Sequence, residues 1–198
     1  MPQKIPDSVT PITPLAVYAA LRLASASLPD GQLGHRSVLL LCAHVGLETG
    51  WHAAHGWNIG NFKHTPNDGH DWATFMTTEY VNGVKETLPQ DFRAYSSLDE
   101  GVADYLRELQ RTFGYAWPAI EAGDAVDFAH RLKVRGYYTA PEADYAAGVS
   151  RVMADLERQI PDPEPARPST PIAIARAQPD PGQPTPPGDL PDPPDEPA

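Results

Sequence analysis

The strongest constraint on the fold is an apolar segment at residues 38–51, in which Glu48 is the single carboxylate. Its composition is typical of a mostly buried helix, and Gly50 predicts the end of that helix. Burial makes a carboxyl group costly to ionise and favours its protonated form. A carboxylic acid that keeps its proton near neutral pH is what general acid catalysis on a glycosidic bond requires. Glu48 is therefore the first catalytic candidate; the alternative is a solvated glutamate in the last turn of a helix.

Apolar residues at helical spacing predict five helices in the part of the chain that can fold. The predicted helices cover residues 15–27, 34–49, 98–113, 124–135 and 142–159. We therefore expect a mainly helical domain in which the Glu48 segment is the second helix.

A short β-hairpin is predicted between the second and third helices. Residues 72–80 and 84–95 are rich in aromatic residues, threonine and valine, which favours strands. Asn82 and Gly83 between them are typical of a type I′ turn. The expected fold class is therefore α+β and mainly helical, with a small β-hairpin lobe.

The composition divides the chain into three parts. Residues 161–198 hold 14 of the 23 prolines, seven acids and two arginines, and almost no large apolar residues. Such a segment cannot bury enough surface to offset the entropy of ordering. We expect a disordered, acidic, Pro-rich tail, either a docking segment for a partner or a solubilising linker. Residues 15–160 are then the folded domain, and residues 1–14 an N-terminal extension.

The charge and the composition exclude several classes of function. A net charge of −11 argues against a nucleic-acid partner held by phosphate contacts. The sequence contains no run of about 18 apolar residues, so we predict no membrane insertion. Residues 15–27 are apolar and contain a small-residue motif, but Arg22 interrupts them, so we expect an amphipathic helix and no clear signal peptide. Without a clear signal peptide, the protein would be made in the cytoplasm. We also expect it to be a monomer.

The seven histidines raise the possibility of a metal site. His44, Glu48 and His52 are spaced by four residues and would share one face of a continuous helix. The pattern is not the His-Glu-x-x-His motif of zinc peptidases, and Gly50 is expected to end the helix before His52. We therefore predict no metal and no cofactor, and a metal-dependent hydrolase is the weakest alternative.

Several motifs that follow Glu48 carry a resemblance to a known family. These motifs are Trp57-Asn58-Ile59-Gly60-Asn61-Phe62-Lys63, Thr77-Thr78-Glu79-Tyr80-Val81-Asn82-Gly83, Phe92-Arg93-Ala94-Tyr95-Ser96-Ser97, Ala103-Asp104-Tyr105-Leu106 and Gly136-Tyr137-Tyr138-Thr139. In this order and spacing, residues 15–156 resemble the flagellar-rod type of β-N-acetylglucosaminidase domain (mannosyl-glycoprotein endo-β-N-acetylglucosaminidase-like). That family of peptidoglycan hydrolases lies within the lysozyme superfamily, so the resemblance implies a lysozyme-like, two-lobed fold.

The resemblance also implies roles for individual residues. Glu48 would be the proton donor, Glu79 of the hairpin the second carboxylate, and Tyr137 a cleft residue whose hydroxyl supports the substrate or the transition state. The adjacent Tyr138 could replace Tyr137. A structural alternative exists for each: an exposed strand position for Glu79, and a core tyrosine bonded to the backbone for Tyr137. The rival second carboxylates match no family motif; they are Asp68, Asp71 and Glu86.

The segment after the acid combines aromatic and amide side chains. Sugar rings present apolar faces and hydroxyl edges, which such side chains can bind. The candidate glycan-binding residues are Trp51, Trp57, Asn58, Asn61, Phe62 and Tyr138. For the aromatic residues, packing between the two lobes is the alternative.

The function predicted from these features is hydrolysis of the β-1,4-glycosidic bonds of peptidoglycan, by N-acetylglucosaminidase or muramidase cleavage. A lytic transglycosylase on the same substrate is the first alternative, because it needs one acid/base and no attacking water. A non-catalytic glycan-binding or assembly protein of a phage or a secretion machine is the second. Action on the cell wall would require non-classical export, injection or lysis.

Overall fold

The structure is a computed structural model. It describes residues 1–29, 31–51, 54–81 and 84–162, without the side chains of residues 78–81, 84 and 85. Residues 163–198, which contain nearly all of the predicted tail, lie outside the described residues. The tail and its docking role therefore stay predictions, as does the division of the chain into three parts.

Within the described ranges, helices dominate and the strands form two small antiparallel pairs. In chain order the elements are β1 (Val9–Thr10), α1 (Pro14–Ser25), α2 (His35–Thr49), β2 (Ala54–His55), β3 (Asp71–Val81), β4 (Val84–Ala94), α3 (Leu98–Arg111), a 3-10 turn (Gly114–Ala116), α4 (Trp117–Ala122), α5 (Ala125–Val134) and α6 (Glu142–Gln159). The predicted class, mainly helical α+β with a β-hairpin lobe, is confirmed.

Helix α2 is the centre of the helical part and packs against α1, α4 and α6. All its residues from Ser37 to Gly46 are buried. A helix with apolar residues around most of its circumference is stable only when neighbours cover every side, which explains its central place. The helix ends at Gly50, whose left-handed φ of 60° lets its N–H reach the carbonyl oxygen of Gly46 at 2.9 Å. Glu48 is therefore held in the last turn of the most buried helix.

Strands β3 and β4 form the hairpin in an unbroken register from Asp71 opposite Ala94 to Val81 opposite Val84. Asn82 and Gly83, the predicted turn, lie outside the described residues. The N-terminal segment also joins this lobe, since the backbone of Ile5 donates to the carbonyl oxygen of Trp72 at 2.9 Å. Strand β1 pairs with β2 directly after α2. Residues 3–10 thus bind both the hairpin and the loop that follows Glu48.

A buried arginine connects the hairpin to the helices. Arg93 of β4 contacts Asp104 at 2.9 Å and Glu108 at 3.1 Å, both on α3, and Asp68 at 3.2 Å. The Tyr95 hydroxyl donates to the same Asp104 carboxylate at 2.6 Å. Buried charges must be paired and hydrogen-bonded to be tolerated, and this cluster meets that condition. The base of the hairpin is therefore fixed against α3.

Candidate active site

Glu48 lies at the boundary between the helical core and solvent, with 21% of its side chain exposed. Its Oε1 accepts a hydrogen bond of 2.8 Å from the hydroxyl of Tyr145 on α6. Burial raises the pKa of this carboxyl, and hydrogen bonds from Tyr145 and Asn61 oppose part of that rise. The group is thus biased toward its protonated form, as the sequence predicts, while two donors are ready to stabilise its anion.

The position of Tyr145 follows from a close approach of two helices. A Cβ atom on Gly148 of α6 would lie 3.0 Å from a methyl group of Leu47 on α2, so glycine lets the helices approach here. Tyr145, three residues before Gly148, reaches across to Glu48. The ring of Tyr138 stacks on the Tyr145 ring at 3.6 Å between centroids. This stack holds the Tyr145 hydroxyl in place.

A buried histidine lies one helical turn before the acid. His44 is fully buried, and its Nδ1 is 2.6 Å from the hydroxyl of Tyr105 on α3. Its Nε2 is 3.7 Å from Oε1 of Glu48. Burial lowers the pKa of His44 to about 3, so the ring is neutral at any pH near 7. The rings of Phe128 and Tyr137 also pack on it, with centroids at 5.2 and 5.1 Å.

The loop after α2 is held against the acid by its amides. Asn61, with a left-handed φ of 49°, donates from its side chain to the backbone carbonyl of Glu48 at 3.0 Å. Asn58 is 2% exposed; its amide donates to the carbonyls of Phe62 and Arg93 and accepts from the Phe62 N–H. In this arrangement Asn58 joins the loop to strand β4. Glycan contact by either asparagine stays a prediction.

Tyr137 is positioned by the end of α5. Gly136 adopts a left-handed φ of 74°, and its N–H reaches the carbonyl of Lys133 at 2.9 Å while the Tyr137 N–H reaches that of Leu132 at 3.1 Å. This is the Schellman arrangement of a helix end. It turns Tyr137 inward, where its hydroxyl donates to the Gly60 carbonyl at 3.2 Å. Burial, followed by the proximity of Glu48, raises the pKa of Tyr137, which stays a neutral donor.

The aromatic candidates are all half-buried against the core. The indole of Trp51 covers Gly46, where a Cβ atom would lie 2.3 Å from the ring. Phe62 stacks near Tyr105, with centroids 6.1 Å apart. The backbone carbonyl oxygen of Trp57 packs against Gly101 of α3, where a Cβ atom would lie only 2.1 Å from it. Each therefore packs within the fold and keeps part of its ring exposed, so a role in sugar binding stays a prediction.

The second carboxylate is less defined than the first. Glu79 lies on β3 with its backbone opposite Glu86 of β4, but its side chain lies outside the described part of the structure. The rivals at the base of the hairpin have structural partners: Asp68 binds Arg93, and Asp71 accepts from the Gln3 N–H at 2.8 Å. Directly opposed positions of an antiparallel pair belong to one face of the ribbon, so Glu79 and Glu86 share a face.

The metal alternative depends on how the histidine, cysteine and carboxylate side chains are grouped. Among the residues that the structure describes, no group of three histidine, cysteine or carboxylate side chains could hold a metal ion. His52, which the spacing argument used, lies outside the described residues. Cavities of about 590 and 560 Å³ open near Gly69 at the base of the hairpin, and neither is lined by Glu48.

Two groups at the site were not assigned to it from sequence. Tyr145 looks like one more apolar position on an amphipathic helix, and no local signal shows that its hydroxyl reaches Glu48. For His44 the sequence pattern indicates only a possible metal ligand, although its spacing of four residues from Glu48 places both on one helix face. The structure brings these two together with Glu48, Asn61 and Tyr137.

Comparison with known proteins gives a consistent result. Residues 31–158 match the glucosaminidase family, described as mannosyl-glycoprotein endo-beta-N-acetylglucosaminidase. The peptidoglycan hydrolase FlgJ of Vibrio cholerae is 32% identical over 126 residues, 60% of this chain and 37% of that protein. Its counterpart in Salmonella typhimurium is 30% identical over 165 residues, 78% of this chain and 51% of that protein. The chain thus spans about half, or less, of the length of these relatives.

A solved structure supports the same fold. The crystal structure of a peptidoglycan hydrolase mutant from Sphingomonas sp. A1 superposes with a TM-score of 0.58 at 27% identity. The match covers 73% of this chain and 93% of that one. Nearly the whole of that hydrolase chain therefore has a counterpart here.

Proposed function

The chain belongs to the glucosaminidase family of glycoside hydrolases, and from this premise we propose that it cleaves the β-1,4-glycosidic bonds of bacterial peptidoglycan with Glu48 as the general acid. The substrate class is supported by the relatives in Vibrio cholerae and Salmonella typhimurium, both named peptidoglycan hydrolases. The observation that carries the proposal is the environment of Glu48. A mostly buried carboxyl with a raised pKa, held at Oε1 by Tyr145, is suited to donate a proton to a leaving oxygen.

Proton donation by Glu48 accounts for the first half of the reaction. As the glycosidic bond breaks, the leaving oxygen takes the proton and positive charge develops on the sugar. The carboxylate left behind is stabilised by the Tyr145 hydroxyl at Oε1 and by the Asn61 amide, both of which act to lower the pKa of Glu48. These donors therefore lower the cost of forming the anion in a partly buried place.

A second carboxylate on the hairpin would stabilise the cationic sugar, attack it or activate water. We assign this role to Glu79, with Glu86 as its rival because the two occupy opposed positions on one face of the hairpin. A separation of about 5 Å between the two catalytic carboxyl groups would favour retention, and about 6.5 to 9.5 Å would favour inversion. Tyr137 would support the reacting sugar, while Trp51, Trp57, Phe62 and Tyr138 offer ring faces for neighbouring sugars.

The direct test replaces Glu48 with glutamine, which keeps the shape and removes the acid. Glu48→Gln should release soluble fragments from purified peptidoglycan at least about a hundredfold more slowly, the usual scale of general acid catalysis. Glu121→Gln is the matched control, because Glu121 is exposed on α4. A Glu48→Gln protein that retained near wild-type activity would rule out this assignment, and an inactive wild-type protein would favour a glycan-binding role.

A lytic transglycosylase is the second candidate, because that reaction needs a single acid/base and Glu48, held at Oε1 by Tyr145, is suited to supply it. Mass spectrometry of borohydride-reduced digestion products separates the two reactions. Anhydro-sugar ends identify a transglycosylase, whereas reduced ends identify a hydrolase and show whether glucosamine or muramic acid carried the cleaved bond.

The place of action that follows from this substrate is the cell wall. No helix in the described ranges combines the length and apolar character of a membrane span. The export route, a partner of the Pro-rich tail and a monomeric state stay predictions.

A further inference from the structure

The ring of His44 has two nitrogens in different situations. Its Nδ1 lies 2.6 Å from the Tyr105 hydroxyl. Its Nε2 is buried and has no hydrogen-bond partner among the described residues. Burying a polar atom without a partner is costly, so the arrangement calls for an explanation beyond packing.

The Tyr105 contact selects one tautomer of the ring. Tyr105 is fully buried, and burial raises the pKa of its hydroxyl well above the usual range, so the hydroxyl keeps its proton. The histidine is also neutral, because burial lowers its pKa to about 3. The contact with Nδ1 is the one hydrogen bond of the Tyr105 hydroxyl among the described residues, so a proton on Nδ1 would leave the buried Tyr105 O–H without an acceptor. The Tyr105 O–H therefore donates to Nδ1, which is the bare nitrogen. The ring proton is then on Nε2.

That Nε2–H faces the acid. Nε2 is 3.7 Å from Oε1 of Glu48, slightly longer than a direct hydrogen bond. The same oxygen already accepts from Tyr145 at 2.8 Å. An oxygen faced by two donors is a poor place for a proton, so the proton of the neutral carboxyl belongs on Oε2.

We propose that His44 is a positioning residue for the acid: held by Tyr105 as the Nε2–H tautomer, it turns its free donor toward Oε1 and so directs the transferable proton of Glu48 to Oε2. The proposal rests on the proposed function, because it takes Glu48 as the acid. When Glu48 releases its proton, the developing negative charge draws Nε2–H closer, since hydrogen bonds to charged groups are shorter and stronger.

Among the described residues, the tyrosines that face this pair do not change charge near neutral pH. Tyr105 comes from α3, Tyr137 from the end of α5 and Tyr145 from α6. Burial, the largest cause for each, raises the pKa of all three hydroxyls. A change in the titration of Glu48 after substitution of His44 therefore reports on the donor at Nε2.

The first test reads the tautomer directly. Nitrogen-15 NMR of the folded protein, labelled at histidine, distinguishes a ring protonated at Nε2 from one protonated at Nδ1. We expect the neutral Nε2–H form for His44 at pH 7, and Tyr105→Phe should remove this preference. A His44 ring protonated at Nδ1, or one that is charged at pH 7, would overturn the proposal.

The second test compares His44→Leu, which removes the donor, with His44→Gln, whose amide can accept from Tyr105 and donate toward Glu48. The carboxyl of Glu48 is titrated by carbon-13 NMR without substrate. His44→Leu should move its midpoint up by about one pH unit, the equivalent of one hydrogen bond to a charged group, and His44→Gln should restore it. The basic limb of the pH–rate profile should follow the same order.

Equal midpoints in the wild-type, leucine and glutamine proteins would show that His44 only fills space. If the leucine variant does not fold, Tyr105→Phe provides the same test, because it frees the ring tautomer and should also raise the midpoint. The titration contains no glycan, so its result is separate from the question of whether peptidoglycan is the substrate. That question is decided by Glu48→Gln.

Discussion

The hydroxyl of Tyr145 and Oε1 of Glu48 are joined by a hydrogen bond of 2.8 Å across 97 positions of the sequence. The bond links the end of α2 to the first half of α6, two helices that pack closely because Gly148 faces Leu47. The environment of the Glu48 carboxyl is therefore formed by the packing of α6 on α2 as well as by α2 itself. Its proton affinity results from burial, which favours the neutral form, and donors, which favour the anion.

Removing the Tyr145 hydroxyl should weaken the acid. Tyr145→Phe deletes a donor to the anion of Glu48, so the pKa of Glu48 should rise by about one unit and kcat should fall about tenfold, as one hydrogen bond to a charged group is worth about 1.5 kcal/mol. The basic limb of the pH–rate profile should move up correspondingly. The measurement is peptidoglycan release as a function of pH.

Tyr18→Phe is the matched control for this experiment. It also removes a buried hydroxyl paired with a histidine, His35, at 2.6 Å, but on α1 and away from Glu48. Tyr18→Phe should leave the basic limb of the pH–rate profile unchanged. If both variants shifted this limb equally, or if neither did, the Tyr145 hydrogen bond would have no specific effect on the pKa of Glu48.

The raised pKa of Glu48 should also affect stability. Because burial raises its pKa above the unfolded value, the folded protein binds the proton more tightly, and stability falls as pH rises from about 4.5 through the folded pKa. Glu48→Gln cannot ionise, so it should be more stable than wild type at pH 7 and lose that advantage below pH 4. Thermal melts at the two pH values test this. A constant difference would mean that the carboxyl is not desolvated in solution.

The local parts of the fold could be predicted from sequence, and the long-range parts could not. Helix α6 has the predicted bounds because apolar positions recur over 18 residues. Helix α4, with six residues, is too short to show a period and was not predicted. The pairing of β1 with β2 was also missed, since two residues in each strand carry no pattern and the partners are distant in sequence.

The same limit applies to the site. Glu48 could be identified because a lone carboxylate in an apolar helix is conspicuous. Tyr145 could not, because its role depends on how α6 packs against α2. Asn58 has the side chain of a sugar-binding residue, yet its amide is taken up by three backbone hydrogen bonds that only the folded loop creates. Burial decides between these roles, and burial is a property of the whole fold.

The close packing of the loop after α2 against Gly101 predicts that alanine destabilises the protein far more at this glycine than at Gly114. A Cβ on Gly101 of α3 would lie 2.1 Å from the backbone carbonyl of Trp57, whereas one on Gly114 would meet nothing within 4 Å. Gly101→Ala should therefore destabilise the protein by about 2 kcal/mol or more, since backbone must shift, and should reduce activity by displacing the loop near Glu48. Gly114→Ala should change stability by less than about 1 kcal/mol. Urea unfolding of both variants measures the difference, and equal effects would contradict the close approach.

The cation that fixes the hairpin to α3 should be essential for stability. Arg93 faces the carboxylates of Asp68, Asp104 and Glu108, all largely buried. Arg93→Met fills similar space but leaves these charges without their shared cation, which should cost about 3 to 5 kcal/mol in urea unfolding at pH 7. Arg158→Met removes an exposed ion pair with Asp155 on α6 and should cost at most about 1 kcal/mol.

The pH dependence gives a second check on the same cluster. Burial alone would raise the pKa of Glu108, but hydrogen bonds from Arg111 and Arg93 bring it below the usual value of 4.5, and the pKa of Asp68 is also lowered. A carboxyl with a depressed folded pKa stabilises the protein above its unfolded pKa and loses that contribution as pH falls. The gap in stability between wild type and Arg93→Met should therefore narrow when unfolding is measured below pH 4. A difference in the free energy of unfolding that stayed constant from pH 7 to pH 3 would show that Arg93 acts through packing alone. The hairpin would then be held by the contacts of Phe62 and Asn58 to β4.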